Sequence, residues 1–342
     1  MRKILVTGGA GFIGSHTAVM LHEAGYDPVI VDDFSNSERT VPEQLEAICG
    51  REFQLYEADC GDPTALSHIF EAEGDVFGVI HFAANKAVGE SVREPLKYYR
   101  NNIGSLVNLV EHMQAFDCQH LVFSSSCTVY GQPDQLPVTE NTPLQPANSP
   151  YGYTKQVCEQ VLRDVSVSGE DFNSVLLRYF NPVGAHPSGR IGELPLGVPE
   201  NLVPYITQTA AGLRESLTVF GNDYDTPDGT CIRDYIHVMD LAAAHVKALD
   251  WMAGKSGQCE TFNLGTGRGN TVLEVIQSFE RVSETALNYT IGARRPGDVE
   301  KIFAGNQKAT TQLGWQTAYS LDDAMRDAWN WQLRLNEIPR EA

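Results

Sequence analysis

The sequence predicts an α/β fold, a Rossmann-type doubly wound parallel sheet with a smaller C-terminal α+β unit. Three observations predict it. Short β-like runs alternate with helical stretches through the first half. Several of those runs are apolar on both faces, as strands covered by helices on both sides must be. A glycine-rich turn follows the first run directly. The chain has 342 residues, 42% hydrophobic and 20% charged, which supplies a core and argues against disorder. At roughly 150 residues per domain this length suggests two domains.

In order, the β-like runs are residues 4–7, 29–31, 54–57, 79–83, 120–124 and 174–178. They are short and rich in β-branched or aromatic residues. Helical patterns lie between them at about 12–24, 63–72, 95–115 and 151–167. The character changes near Asn181. Residues 182–200 are crowded with proline and glycine, which break regular structure, and loops of this length are often lids over binding sites. Helices follow at about 200–213, 238–253, 271–284 and 320–335. The last places Ala324, Met325, Ala328, Trp329, Gln332 and Leu335 largely along one face. The expected division is a dinucleotide-binding unit over 1–180 plus about 235–265, and a substrate unit over 181–234 and about 266–342.

The formal net charge is −19. Nucleic acid and anionic membrane surfaces are poor partners for such a chain, because phosphate contacts want Lys or Arg. The apolar run after Met1-Arg2-Lys3 stops at Thr7-Gly8-Gly9, short of the about 7–15 apolar residues of a signal peptide. No stretch reaches the about 18 of a membrane span. The seven cysteines are scattered and never spaced C-x-x-C, which favours reduced thiols and a cytoplasmic setting. There is no His-Glu-x-x-His and no close His–Cys spacing, so no metal site is expected. His81 reads as a core residue and His237 as a cap for the helix after it.

Gly8, Gly11 and Gly14 follow the first strand and open the first helix. In a dinucleotide fold the first allows the tight turn, the second lets a pyrophosphate approach the backbone, and the third lets helix pack on strand. The helix N-terminus then offers free N–H groups and a partial positive charge. Asp32 ends the second strand, where an acid accepts hydrogen bonds from the adenosine ribose hydroxyls and repels a 2′-phosphate. The nearest arginine, Arg39, lies beyond residues 35–37. The pattern favours NAD over NADP. Asp33 reads as a further cofactor contact or as a turn acid. Asp59 either meets the adenine edge or caps the helix beginning near Asp62-Pro63.

The second constellation is Ser124-Ser125-Ser126-Cys127-Thr128-Val129-Tyr130-Gly131, followed by Tyr151-Gly152-Tyr153-Thr154-Lys155. Tyr151 and Lys155, at i and i+4, share a helix face. A phenol with a pKa near ~10 is a poor base at neutral pH, and a nearby ammonium lowers that pKa. Such a pair takes a proton from a substrate hydroxyl while hydride leaves the carbon. Alone, the spacing fits equally an exposed aromatic beside a solvated lysine.

The order of these motifs resembles the extended short-chain dehydrogenase/reductase superfamily. Lys86-Ala87-Val88-Gly89-Glu90-Ser91, Tyr179-Phe180-Asn181-Pro182-Val183-Gly184, Arg233-Asp234-Tyr235-Ile236-His237-Val238 and Arg294-Arg295-Pro296-Gly297-Asp298 resemble the UDP-glucose 4-epimerases within it, across about residues 2–335. The resemblance implies an isomerase interconverting UDP-glucose and UDP-galactose, with NAD held tightly and regenerated each turnover. Tyr151 would deprotonate the sugar 4-hydroxyl and C4 would give hydride to NAD. The 4-keto sugar would then swing about its pyrophosphate link and recover hydride and proton on its other face. Ser126 would hydrogen-bond the sugar hydroxyl with Thr128 close by. Lys155 would hold the nicotinamide ribose and tune Tyr151, and Lys86 would lie beside the cofactor. Phe12, Ile13, Asn36, Phe82, Ala83, Asn101, Ser124 and Tyr179 join the cofactor side by the same resemblance. Asn181, Asn201 and Leu202 fall at the diphosphate or its surroundings, Phe220 near the uracil, and Asp298 near the uridine ribose. Tyr235 joins the substrate side.

Arg233 and Arg295 are the candidates for the diphosphate, since guanidinium offers a planar fork for phosphate oxygens. Each reads alternatively as a surface ion pair, Arg233 with Asp234 and Arg295 with Asp298. Ile302 occupies the place where, in the family, a bulky Tyr goes with the plain sugars and a small residue admits N-acetyl sugars. It is intermediate, so a UDP-N-acetylglucosamine 4-epimerase stays open. Dehydratase relatives carry Asp-Glu before Val-Tyr-Gly, where this chain has Cys127 and Thr128. A uronate epimerase needs groups for the sugar carboxylate, and nothing here singles them out. A non-catalytic NAD or sugar-nucleotide binder would have lost Tyr151 or Lys155. A simple dehydrogenase would exchange free NAD rather than retain it. Superfamily relatives also imply a homodimer through helices 95–115 and 151–167.

Overall fold

The computed structural model describes residues 1–168, 171–295 and 298–337. Strands β1 (Lys3–Thr7), β2 (Asp27–Asp32), β3 (Leu55–Glu57), β4 (Val76–His81), β5 (His120–Ser126) and β6 (Asn173–Tyr179) join an edge strand, Cys259–Leu264, in one seven-stranded sheet. Its order is Cys259–Leu264, β6, β5, β4, β1, β2, β3, and every neighbouring pair is parallel. The chain begins in mid-sheet, winds outward to β3, then returns to β4 and winds the other way. That reversal opens a crevice beyond the C-terminal ends of β1 and β4, where α/β sheets hold ligands.

The doubly apolar strands are what this burial requires. Every residue of β5 and β6 is buried. On β1, Ile4 and Val6 face one core and Leu5 the other. Helices Phe12–Glu23 and Val238–Met252 pack on the first face, and Pro63–Glu73, Gly104–Ala115 and Pro150–Val167 on the second.

Some bounds differ from the sequence reading. The strand expected at 79–83 stops at His81, so Phe82 and Ala83 turn toward the crevice. The helix expected at 95–115 is three pieces: Pro95–Tyr98, a π-helical turn Tyr99–Ile103, and Gly104–Ala115. The widened turn brings consecutive residues to one target: Asn85 N–H is shared by Asn101 Oδ1 (3.2 Å) and Asn102 Oδ1 (2.8 Å). The sequence reading had not anticipated helices Val41–Cys49 and Val88–Arg93 or the edge strand.

Beyond β6 the strands are short. Asn181–Val183 pairs with Tyr235–His237, Leu217–Phe220 with Tyr289–Gly292, and Ile232–Arg233 lies between Asn270–Thr271 and Lys301–Ile302. Helices Leu202–Ala210, Val272–Ser283 and Leu321–Glu337 close over a core that includes Ile206, Val219, Ile276, Phe279 and Met325. Thr271 and Glu274 form a capping box at the second of these helices.

The proline- and glycine-rich stretch is tied down along part of its length. Ala185 bridges to Gly192. A side chain on Gly192 would stand 2.4 Å from the Trp331 ring, and Trp331 Nε1 donates to the Glu193 carbonyl at 3.1 Å. His237 Nδ1 accepts Met239 N–H at 3.0 Å, capping the helix as expected. His81 is buried beside the Thr7 hydroxyl, and burial pushes its pKa down to about 3. All seven cysteines are unbridged. Among the described residues, no helix is long and apolar enough to cross a membrane, and no group of three His, Cys, Asp or Glu is placed to hold a metal.

Candidate active site

Gly8 and Gly14 have no room for side chains. A Cβ on Gly14 would lie 2.2 Å from the Gly8 carbonyl oxygen, and one on Gly8 2.9 Å from Ala83 N. Gly8 also has φ +69°, which favours glycine. Gly11 precedes helix Phe12–Glu23 without any side-chain cap, so the first amides, at Phe12 and Ile13, are open to an anion. The residues present thus fit a dinucleotide.

Asp32 is almost fully buried. It accepts Ala10 N–H at 2.9 Å, Phe34 N–H at 2.9 Å and the Ser37 hydroxyl at 2.7 Å. It therefore builds the turn it was expected to serve, and a ribose would share its oxygens. Asp33 takes the Ser35 N–H and hydroxyl, the geometry of a turn acid. Asn36 is exposed nearby. Arg39 is held by Glu57 through both guanidinium nitrogens, at 2.6 and 2.5 Å. Asp59 accepts Gly61 N–H at 2.7 Å. It does not cap the following helix; Asp62 does, accepting Thr64 N–H. An acid immediately before the first helical proline is in reach of that amide, and Asp59 lies three residues too early.

Opposite the cradle, β5 ends in the buried residues Ser124, Ser125 and Ser126. Ser126 Oγ accepts Thr128 N–H at 3.2 Å and starts a 3₁₀ turn. Ser149 caps helix Pro150–Val167 with proline at its first position, which aims Tyr151 and, one turn on, Lys155 at the end of β5. Lys155 is buried, donates to the Ser124 carbonyl at 2.7 Å, and lies 5.9 Å from the Tyr151 ring centre. Burial pulls its pKa down to about 8, with Cys158 and Glu159 opposing.

Without a cofactor in the site, the Tyr151 phenol lies above its ordinary range. Burial pushes the phenol up to about 12, a hydrogen bond with Ser126 acts the other way, and the Cys127 thiol adds to the rise. Thr128 Oγ1 is buried with no partner, a polar group left for a ligand to satisfy. Ser124 Oγ and the Tyr179 hydroxyl bond each other beneath the site.

Sequence reasoning missed a buried ion pair under this strand end. Glu159, fully buried, takes Arg178 Nε at 2.8 Å and the Ser125 hydroxyl at 2.5 Å, with Arg163 on its other oxygen. The signal was an arginine inside an apolar strand and a glutamate one turn after Lys155. Asn102 was missed too. Its Nδ2 donates to Asn85 O and Thr154 Oγ1 at 3.0 and 3.1 Å, stitching the turn before Lys86 to the Tyr151–Lys155 helix.

On the substrate side Asp298 gathers both arginines. It lies 2.8 Å from Arg295 and 3.8 Å from Arg233. The Arg295 guanidinium lies 5.7 Å from the centre of the Phe220 ring, itself exposed. The pairing of Arg233 with Asp234 is not formed. Asp234 is buried and takes Thr266 N–H, the Thr266 hydroxyl and Ala304 N–H. Asn181 N–H donates to the Asp234 carbonyl. Asn201 precedes helix Leu202–Ala210, whose N-terminus has no side-chain cap. Lys86 reaches Glu193 at 3.6 Å, and Asn201 donates to the same carboxylate oxygen at 2.6 Å. Tyr235 is buried among Val183, Leu217 and their neighbours, so it packs the wall behind the site. Ile302 is buried against Val129, Tyr130 and Phe180.

Residues 5–328 match the family model described as GDP-mannose 4,6 dehydratase. The chain is 51% identical over 330 residues to the UDP-glucose 4-epimerase of Dictyostelium discoideum, covering 96% of this chain and 95% of that one. It is 50% identical to the UDP-glucose 4-epimerase of Bacillus subtilis, with 96% of each covered. Its structure resembles that of UDP-glucose 4-epimerase from Stenotrophomonas maltophila with bound NAD and formylated UDP-arabinopyranose, at a TM-score of 0.95, 46% identity, and 98% and 99% coverage. The enzyme from Bifidobacterium longum, in complex with NAD+ and UDP, matches at a TM-score of 0.93 and 46% identity, with 97% and 98% covered. The chain belongs to the UDP-glucose 4-epimerase family of the extended short-chain dehydrogenase/reductases.

Proposed function

We infer that the chain is an isomerase that interconverts UDP-glucose and UDP-galactose with NAD as its cofactor. The observation that carries this is the meeting of Ser126, the unpartnered Thr128 hydroxyl, Tyr151 and Lys155 at the end of β5, across from a glycine cradle without room for side chains at Gly8 and Gly14. A bound NAD would supply a hydride acceptor and donor for the sugar C4 and, in its oxidised form, a positive charge beside Tyr151. In our reading the cradle and the amides of Phe12 and Ile13 hold the pyrophosphate, with Asp32 at the adenosine ribose.

Tyr151 Oη accepts the proton of the sugar 4-hydroxyl and later returns it. Tyr151 acts in this step as the phenolate; burial holds it protonated in the empty site, so it first gives its own proton to solvent as the added positive charge of a loaded site lowers its pKa. Ser126 and Thr128 orient the hydroxyl. Lys155 fixes the helix turn through the Ser124 carbonyl and meets the nicotinamide ribose. Asn201, the N-terminus at Leu202, Arg233 and Arg295 grip the diphosphate, with Phe220 at the uracil and Asp298 at its ribose. A firm hold on UDP and a loose one on the hexose suit a sugar that must present both faces.

In this scheme residues 1–180 with about 235–265 hold NAD, and the remainder holds the UDP-sugar. We also read the chain as a cytoplasmic homodimer joined through the helices that carry Val107 and Tyr153, both exposed. The deciding experiment assays purified protein with UDP-galactose and with UDP-N-acetylgalactosamine. Turnover of the first is expected. The buried Ile302 predicts slower turnover of the second. Turnover of neither overturns the reading.

A further inference from the structure

Glu193 is a carboxylate set where anionic ligands are expected. Its backbone is fixed from outside, since Trp331 donates to its carbonyl at 3.1 Å and packs against Gly192 with no room for a side chain. Its side chain is only 10% exposed. The same oxygen, Oε1, meets Lys86 Nζ at 3.6 Å and accepts from Asn201 Nδ2 at 2.6 Å. Cations are scarce here in a chain of net charge −19. Arg233 and Arg295 already share Asp298, and Lys86 shares Glu193. Each of these three cations therefore carries a resident counter-charge.

We propose that Glu193 is a positioning residue that competes with the diphosphate: it holds Asn201, beside the cofactor-side Lys86, while the UDP group is away and yields it when the diphosphate arrives, weakening binding and hastening release. The inference rests on the reading of Lys86 and Asn201 as contacts of the anionic ligands. The physical ground is that one amide cannot satisfy a carboxylate and a diphosphate at once, and that like charges repel across a partly buried site. A scaffold role makes the opposite claim. If Glu193 only props Asn201, its removal weakens UDP binding.

The signs differ, so one titration separates them. UDP is titrated calorimetrically into the NAD-loaded protein and into Glu193→Gln, which keeps an acceptor for Asn201 and removes the charge. We expect UDP to bind about two- to fivefold tighter to the variant, the range of one partly exposed ion pair. The gain should shrink as salt rises. The KM for UDP-galactose should fall with it. Glu193→Ser, shorter and also uncharged, should shift in the same direction, which guards against a fault peculiar to glutamine. Retained nucleotide and an unchanged melting temperature show that each variant is folded. Unchanged or weaker UDP binding in the folded variants overturns the proposal. Failure of the unaltered protein to bind UDP overturns the functional reading beneath it instead.

Discussion

At the scale of single residues, Tyr151 is the group on which the chemistry turns. Tyr151→Phe should cost about 10²–10⁴-fold in kcat while leaving the nucleotide bound, as shown by ultraviolet absorbance of the purified variant; near-normal turnover rejects it as the base. Because burial lifts the phenol to about 12, protein stripped of nucleotide should show no tyrosinate from Tyr151 at pH 8. A 295 nm difference between it and the Phe variant at that pH contradicts this account. The buried histidines set acid stability. Burial lowers His16 and His81 to about 3 and His245 to about 4, below the unfolded value of about 6.5. Between those values the unfolded chain binds more protons, so stability falls as pH drops below about 6.5. The urea midpoint should therefore decline from pH 7 to pH 5; a flat profile sinks the prediction. Tyr151 and Lys155 were legible because a helix repeat brings them together locally. Glu159, Arg178 and Asn102 were not, because their partners lie far away in sequence and no period announces them.

At the scale of elements, the strands that show themselves are those buried on both faces. β5 and β6 show themselves through short apolar cores, Leu121–Phe123 and Val175–Leu177, buried between two helical layers. The edge strand Cys259–Leu264 has half-buried Glu260 and Thr261, so its sequence does not differ from a loop's. The two-residue strands such as Ile232–Arg233 exist only by pairing with distant segments. The π-helical turn was hidden for another reason, since one extra residue in a turn hardly disturbs the apolar pattern on either side. The anchoring of residue 192 gives a test at this scale. Gly192→Ala drives a methyl into the Trp331 ring and should cost about 1–3 kcal/mol of stability by chemical denaturation. An unaltered midpoint shows that the loop is free to move away. The cap at Ser149 should be worth about 1 kcal/mol, measured in the same way on Ser149→Ala.

At the scale of the whole molecule, a dimer predicts twice the chain mass by light scattering. Tyr153→Glu, which places a charge on the proposed face, should halve it; a monomeric wild type refutes the assembly. The acid surplus suits solubility. The sheet also has a history in time. One of its inner strands, β1, is made from residues 3–7, yet the helix Val238–Met252 that covers Ile4 and Val6 and the last strand, Cys259–Leu264, come some 230–260 residues later. At about 5–20 residues per second a ribosome needs roughly 12–50 s to deliver them. Through that interval helix Phe12–Glu23 covers this face without Val238–Met252, and β6 lacks its edge partner, so apolar surface of the nascent sheet stays open to solvent until they arrive.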